Sequence, residues 1–181
     1  MAISKPMESP KSMESPKPME SPKPTPLAHC VLYHPEIPPN TGNIGRTCVA
    51  LGIRLWLVKP LGFDLSDAKI RRSGLDYWQH LDLCVVEDWK QLLRELPCTD
   101  RMWFCSRFAK RTFFDAEFQA GDVFVFGCES AGLPTSILDP EDPRSLRLPM
   151  SEQVRSLNLA TTAGIVLYEH RRQIGFGPPL R

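Results

Sequence analysis

The chain has 181 residues, of which 42% are hydrophobic and 24% are charged, and its formal net charge is +1. This length and composition are typical of one globular domain with a sizeable core. No stretch approaches the roughly 18 consecutive apolar residues of a membrane-spanning helix, and the balanced charge gives no support for nucleic-acid binding by bulk charge.

The first 26 residues differ in composition from the rest. Met-Glu-Ser-Pro recurs three times with a period of six residues, and the segment holds seven of the 18 prolines. It contains too few core-forming residues to offset the entropy of ordering, so we expect a disordered spacer, with a docking segment for a partner as the alternative. Without this tail the chain has 18 basic and 18 acidic residues, so only local clusters of arginine favour nucleic acid.

Six cysteines are scattered along the chain without the spacing of a zinc site. The amino terminus also lacks the apolar core of a secretory signal peptide. We therefore expect a cytoplasmic protein with reduced thiols and no bound metal.

Predicted strands alternate with predicted helices over residues 27–181. Strands are predicted at 28–33, 54–58, 81–86, 102–105, 123–126 and 146–148. Helices are predicted from an N-cap at Asn40 to Leu51 with a stop at Gly52, in a short segment ending at Arg72, at 88–96 and at 157–173. This alternation indicates an α/β domain with a mainly parallel sheet.

The last predicted helix is apolar on nearly every side between residues 157 and 167. A helix of this kind is buried either in the core or against another subunit, and both hold if its faces differ.

Two loops near the carboxyl end predict a pocket for a nucleotide-sized ligand. Gly127 and Gly132 follow a buried strand, at positions where the backbone must bend sharply or approach a ligand. Glu129 lies between them at the carboxyl end of that strand, where ligands of open α/β sheets bind. A second polar loop spans residues 149–158.

The first predicted helix carries another polar group of residues. Asn40, Asn43 and Arg46 are spaced by three, so they lie near one face at a helix amino end that suits a phosphate or ribose oxygen. The alternative is that Asn40 only caps the helix and Arg46 is merely exposed. The glycine patterns of dinucleotide-binding and Walker folds are not matched.

Four segments together resemble, in order, the motifs of SPOUT-class RNA 2′-O-methyltransferases. They are Pro-Glu-Ile-Pro-Pro-Asn-Thr-Gly-Asn-Ile-Gly-Arg at 35–46, Arg-Arg-Ser-Gly-Leu-Asp-Tyr at 71–77, Phe-Gly-Cys-Glu-Ser-Ala-Gly-Leu-Pro at 126–134, and Leu-Pro-Met at 148–150 with Arg-Ser-Leu-Asn-Leu at 155–159. The resemblance covers residues 27–176. It is strongest to the TrmL (YibK) family, which 2′-O-methylates the wobble cytidine or modified uridine of leucine tRNAs.

This resemblance implies a carboxy-terminal trefoil knot, S-adenosyl-L-methionine as cofactor, tRNA as partner, and a homodimer packed through the carboxy-terminal helices. By position, it implies cofactor contacts at Ser106, Gly127, Leu148 and Ser156. It implies catalytic or site-shaping roles for Asn40, Arg46, Glu129, Asn158 and Tyr168, with Arg46 facing the cofactor of the other subunit. Contacts to RNA phosphates are implied at Arg71, Arg72 and Arg155.

The sequence also departs from the family pattern. Ala131 stands where relatives usually have an arginine in motif two, and Gly45 replaces a branched apolar residue at a cost of about 1 kcal/mol in helix propensity. Three functions therefore stay open: a wobble-position tRNA ribose methyltransferase, a related enzyme acting on another tRNA position or on ribosomal RNA, and a catalytically idle RNA-binding relative.

Overall fold

The centre of the fold is a seven-stranded sheet. A computed structural model describes residues 26–65 and 77–176. The strands are β1 (His29–Tyr33), β2 (Arg54–Val58), β3 (Leu83–Val86), β4 (Met102–Cys105), β5 (Arg111–Thr112), β6 (Val123–Phe126) and β7 (Ser145–Arg147). Their order is β3-β2-β1-β6-β4-β7-β5, and neighbours pair in parallel. The predicted α/β class with a mainly parallel sheet is confirmed, and the trefoil knot stays a prediction.

Three α-helices flank the sheet in the described part of the chain: α1 (Pro38–Leu51), α2 (Trp89–Glu95) and α3 (Leu159–Ile174). Two predicted features lie outside the described residues: the short helix that contains Arg71 and ends at Arg72, and the predicted tail except for its last residue. None of the described helices is long and apolar enough to cross a membrane.

The inner strands are apolar on both faces because both faces of the sheet are covered. All four residues of β6 are buried, which explains their continuous apolar run. On one face, Phe124 belongs to a core shared with α1 and α3, to which Ile44 and Leu167 contribute. On the other, Val125 packs in a core with Leu92 of α2.

The predicted start of α1 is wrong. The helix begins at Pro38, with Ile37 in the N-cap position, so Asn40 lies inside the first turn and caps nothing. Prolines are tolerated there because the first N–H groups of a helix have no partner within it. The predicted stop is confirmed, since Gly52 adopts a left-handed conformation with φ of 66°.

Helix α3 begins two residues later than predicted, at a cap formed by Asn158. Its inner face, including Val166 and Leu167, is fully buried. Its outer face leaves Ile165 40% exposed and Tyr168 50% exposed. The helix is therefore buried on one side within the chain and apolar on a side that the chain itself leaves uncovered.

Smaller differences concern strand ends. The structure adds the two-residue strand β5, which is too short to give a period in the sequence. Strand β3 begins two residues later than predicted, and β7 is shifted by one residue.

Candidate active site

A cavity of about 540 Å³ lies at the carboxyl ends of β4, β6 and β7. Parallel strands end at the same edge of a sheet, which brings the loops after these three strands together. The four residues predicted to contact a cofactor all line this cavity: Ser106, Gly127, Leu148 and Ser156. The cavity is where the sequence predicted a nucleotide-sized pocket.

The inner wall of the cavity is apolar. Phe126, Leu146 and Val166 line it, and each is at most 1% exposed. Cys105 lies on the same wall, and burial raises the pKa of its thiol to about 12. This side chain is therefore a neutral part of the wall at any physiological pH.

Three predicted site residues form a hydrogen-bonded chain along one side of the cavity. Asn40 Nδ2 donates to Glu129 Oε1 at 2.8 Å, and Asn158 Nδ2 donates to Asn40 Oδ1 at 2.9 Å. Asn158 Oδ1 accepts from the backbone N–H groups of Ala160 and Thr161, which fixes the orientation of its amide. This chain of bonds ties the start of α1, the loop after β6 and the start of α3 together.

Three further hydrogen bonds connect the loop before α1 to the loop after β6. The backbone N–H of Glu36 donates to Glu129 Oε2 at 2.9 Å, and Ser130 donates from its N–H at 2.9 Å and its hydroxyl at 2.6 Å to the Glu36 carboxylate. These donors lower the pKa of Glu36. Both oxygens of Glu129 thus accept from N–H donors, so the carboxylates of Glu129 and Glu36 each connect the two loops.

The two glycines of this loop have different reasons for being glycine. Gly132 has a φ of 74°, which side chains rarely adopt. At Gly127 a Cβ atom would lie 2.1 Å from the carbonyl carbon of Gly132 and 2.3 Å from the nitrogen of Leu133. The close contact at Gly127 is therefore with the protein's own backbone, whereas the sequence predicted a sharp bend or the approach of a ligand there.

Arg46 and Tyr168 do not line the cavity of their own chain. Arg46 is exposed on α1, and its guanidinium carbon lies 5.0 Å from the ring centre of Tyr77. Tyr168 lies on the exposed face of α3. The structure thus brings Asn40, Glu129 and Asn158 together and leaves these two predicted site residues outside that group.

Gly45 has a packing role that its helix propensity conceals. A Cβ atom there would lie 3.2 Å from Leu81 Cδ2 and 3.4 Å from the Trp78 ring. The missing side chain lets residues 77–81 pack directly on α1.

Of the predicted RNA contacts, Arg155 lines the cavity, whereas Arg71 and Arg72 lie outside the described residues. Glu36, Ser130, Phe108 and Arg147 are among the lining or locking residues that were not predicted as site residues. Glu36 and Ser130 are 94 residues apart, so no local pattern links them. For Phe108 the sequence offered only the adjacency of an aromatic residue to Arg107, since the exposure of the ring is a property of the fold.

All six cysteines are free. In the ranges 26–65 and 77–176, no group of three or more His, Cys, Asp or Glu side chains is placed to hold a metal ion.

Comparison with known proteins gives consistent results. The model of the SpoU rRNA methylase family matches residues 28–168. The tRNA (cytidine(34)-2′-O)-methyltransferase of Burkholderia ambifaria is 46% identical over 149 residues, covering 81% of this chain and 95% of the relative.

Solved structures share the fold. One described as giving structural insights into the 2-OH methylation of C/U34 on tRNA is 44% identical, with a TM-score of 0.75, and the match covers 81% of this chain and 95% of that one. The SpoU methyltransferase AviRb from Streptomyces viridochromogenes, solved in complex with AdoMet, is 24% identical with a TM-score of 0.71, covering 81% of this chain and 57% of AviRb. The latter likeness concerns the fold.

Proposed function

The chain belongs to the SpoU methylase family, and from this premise we propose that it methylates tRNA with S-adenosyl-L-methionine as donor. The group that it methylates is the ribose 2′-hydroxyl of the wobble nucleotide, position 34, of leucine tRNAs. The relatives named for cytidine-34 methylation support this substrate over ribosomal RNA, because they match over nearly their whole length. The observation that carries the proposal is the cavity at the sheet edge, on which all four expected cofactor positions converge.

The residues present fit this cofactor. A volume of about 540 Å³ lies within the roughly 300–1,000 Å³ of small-molecule sites. The apolar wall formed by Phe126 and Leu146 suits an adenine ring, while Ser106, Ser156 and nearby backbone groups offer hydrogen bonds to polar parts of the ligand. When bound, the cofactor supplies a methyl group activated by a positively charged sulfur.

The proposal includes the architecture of the assembly. Residues 27–181 form one SPOUT domain with a carboxy-terminal trefoil knot, preceded by the tail, and two copies pair through their α3 helices in the cytoplasm. The uncovered apolar face with Ile165 and Tyr168 supports the pairing, since it gains burial only from a partner. A symmetric pair places the same face of both chains in contact.

In this assembly Arg46 serves the cavity of the partner. Its guanidinium is always protonated, so it acts by stabilising negative charge on the ribose oxygen and by holding the adjacent phosphate. Its position outside its own chain's cavity supports action across the dimer. Asn40, Glu129 and Asn158 hold the three loops in the geometry that aligns oxygen with methyl.

The test is methyl transfer from labelled cofactor to total tRNA, followed by mapping of the modified nucleotide. We expect a single 2′-O-methyl group at nucleotide 34 of leucine tRNAs. A methyl group at another tRNA position or in ribosomal RNA would assign the chain to a related enzyme. Absence of both cofactor binding and transfer would identify an idle RNA-binding relative.

Action across the dimer has its own test. Arg46→Ala and Ser156→Trp, which fills the cavity, are each expected to be inactive. Refolding equal amounts of the two variants together yields mixed dimers as about half of the product, and each mixed dimer has one intact cavity facing an intact Arg46. The activity of the mixture therefore returns to about a quarter of the wild-type value, and that of isolated mixed dimers to about half. No recovery in verified mixed dimers would place Arg46 at its own chain's site or outside catalysis.

A further inference from the structure

A second groove, of about 560 Å³, adjoins the cofactor cavity. Six residues line both spaces: Arg107, Phe108, Arg147, Leu148, Met150 and Arg155. The groove is therefore continuous with the cavity and opens beside the expected methyl donor.

The groove is rich in positive charge. Arg107, Arg147 and Arg155 line it against one acidic side chain, Glu152, and all four are exposed. Among the ion pairs that the described residues form, none uses these three arginines. Arg107 Nη1 donates to the backbone oxygen of Arg155 at 3.3 Å, which links the two sides of the groove. Such a group of guanidinium ions suits the phosphates of a nucleic acid.

Phe108 stands at the junction of the two spaces. It is 63% exposed, and the Arg107 guanidinium lies over its ring at 4.5 Å from the centroid. Its backbone N–H donates to Ser106 Oγ at 3.2 Å, so the ring is attached through one short turn to an expected cofactor contact. An exposed aromatic ring beside cationic side chains is the usual platform for an unstacked base of single-stranded RNA.

We propose that this groove holds the single-stranded RNA beside the methylated nucleotide, with the base of one neighbouring nucleotide stacked on Phe108. The flanking phosphates contact Arg107, Arg147 and Arg155. This inference rests on the proposed function for the identity of the RNA. It adds Phe108, Arg107 and Arg147 as substrate-positioning residues to Arg155, for which the sequence already implied an RNA contact. Stacking recognises a base of any identity, so the groove positions the strand, and its contribution to sequence preference is small.

The first test compares Phe108→Ala with Phe114→Ala, whose ring is equally exposed at 64% but lines neither space. With an anticodon stem-loop RNA as substrate, we expect Phe108→Ala to raise KM about ten-fold, because stacking on one aromatic ring contributes this much to binding. Phe114→Ala is expected to match the wild type and Phe108→Trp to restore binding. Because Phe108 also lines the cofactor cavity, cofactor affinity is measured on each variant and the KM for RNA is compared at saturating cofactor. A wild-type KM for Phe108→Ala would overturn the proposal.

A second test separates stacking from a structural role of Phe108. The stem-loop is prepared with an abasic nucleotide on either side of the target. At one of these positions the abasic RNA is expected to bind the wild type weakly and to bind Phe108→Ala with no further loss. If Phe108→Ala weakens the intact and both abasic RNAs by the same factor, the ring does not stack on a neighbouring base.

The contact of each arginine with a phosphate is tested by the dependence of RNA affinity on salt concentration. Replacing Arg107, Arg147 or Arg155 by glutamine is expected to reduce the slope of log Kd against log salt by about one per lost phosphate contact. Unchanged slopes for all three variants would contradict the phosphate contacts.

These measurements fail separately from the proposed function. If the wild type methylates nucleotide 34 while Phe108→Ala is indistinguishable from it, the groove proposal falls alone. If the wild type transfers no methyl group but binds the stem-loop through Phe108, the groove stands and the proposed reaction falls. If Phe108→Ala instead changes the sedimentation of the chain and not its RNA affinity, the ring is a protein contact and the proposal is overturned.

Discussion

The hydrogen bond between Asn40 and Glu129 predicts how the stability of the fold responds when the donor and acceptor roles of the two side chains are exchanged. Asn40→Asp and Glu129→Gln are each expected to destabilise the fold, whereas the double variant is expected to recover most of the loss. In the double variant, the new amide at position 129 donates to the new carboxylate at position 40. The carbonyl oxygen of that amide still accepts from the Glu36 N–H, and Asn158 still donates to the side chain at position 40. Every donor again meets an acceptor.

The magnitudes follow from the geometry. Asn40 is only 6% exposed, and its Nδ2 lies 2.8 Å from Glu129 Oε1. Aspartate there replaces a donor by a second carboxylate, and we expect a loss of about 2–4 kcal/mol in the free energy of unfolding. Glu129→Gln sets one donor against another and is expected to cost about 1–2 kcal/mol. The coupling free energy between the two changes is therefore about 2–3 kcal/mol in favour of the double variant.

The assay is urea unfolding of the wild type, both single variants and the double variant, with cofactor affinity measured by calorimetry on each. The control is the exposed pair Lys59–Glu87, whose nitrogen and oxygen lie 2.7 Å apart. Exchanging its two charges is expected to give coupling below about 1 kcal/mol, as for other surface pairs. Additive losses at Asn40 and Glu129 would refute the reasoning, because they would show that the two side chains do not depend on each other.

Two further predictions concern the core and the loop glycine. Burial, with a smaller contribution from Arg54, lowers the pKa of His29 from 6.5 to about 4. Between these two pH values the folded chain therefore binds fewer protons than the unfolded chain, so the stability of the fold decreases as the pH falls. The free energy of unfolding is expected to fall by about 3 kcal/mol from pH 6.5 to 4. His29→Asn keeps a hydrogen-bond acceptor for Trp56 and is expected to flatten this dependence of stability on pH. An unchanged slope in that variant contradicts the assignment to His29. Gly127→Ala is expected to lower the free energy of unfolding by more than about 3 kcal/mol and to abolish cofactor binding. Urea unfolding and calorimetry measure the two effects, and a stable variant that binds the cofactor normally contradicts the backbone contact.

The fold was predictable because its signals are local. Continuous apolar runs such as Val123–Phe126 mark strands covered on both faces, and Gly52 marks a helix end by its backbone conformation. The start of α1 was not predictable from Asn40, since a good capping residue competes with prolines that also favour a first helical turn. In the structure, the Asn40 side chain makes a tertiary hydrogen bond to Glu129 instead of capping its own helix.

The position of the site was predictable from topology, but its connections were not. Loops after parallel strands meet at one edge, which is enough to place Gly127 and Leu148 around one cavity. The bond between Glu36 and Ser130 joins residues 94 apart, and the contact at Gly127 depends on how the chain folds back at Gly132. Such pairings are properties of the folded backbone, and a single sequence carries no periodic signal for them.

The composition of the cavity wall bears on how a ribose hydroxyl loses its proton. Among the described lining residues there is no histidine or lysine, and Cys105, with a pKa of about 12, keeps its proton. Both oxygens of Glu129 already accept from N–H donors, so this carboxylate is poorly placed as a base. The ionisable groups that remain beside the cavity are the guanidinium ions of Arg107, Arg147 and Arg155 and the thiol of Cys128. The guanidinium ions stabilise a developing oxyanion and leave the proton to water. The rate of methyl transfer is therefore expected to depend on the pKa of the ribose hydroxyl itself and to rise with pH without a plateau near neutrality. In single-turnover measurements, a plateau between about pH 6 and 7 would show that a side-chain base takes part.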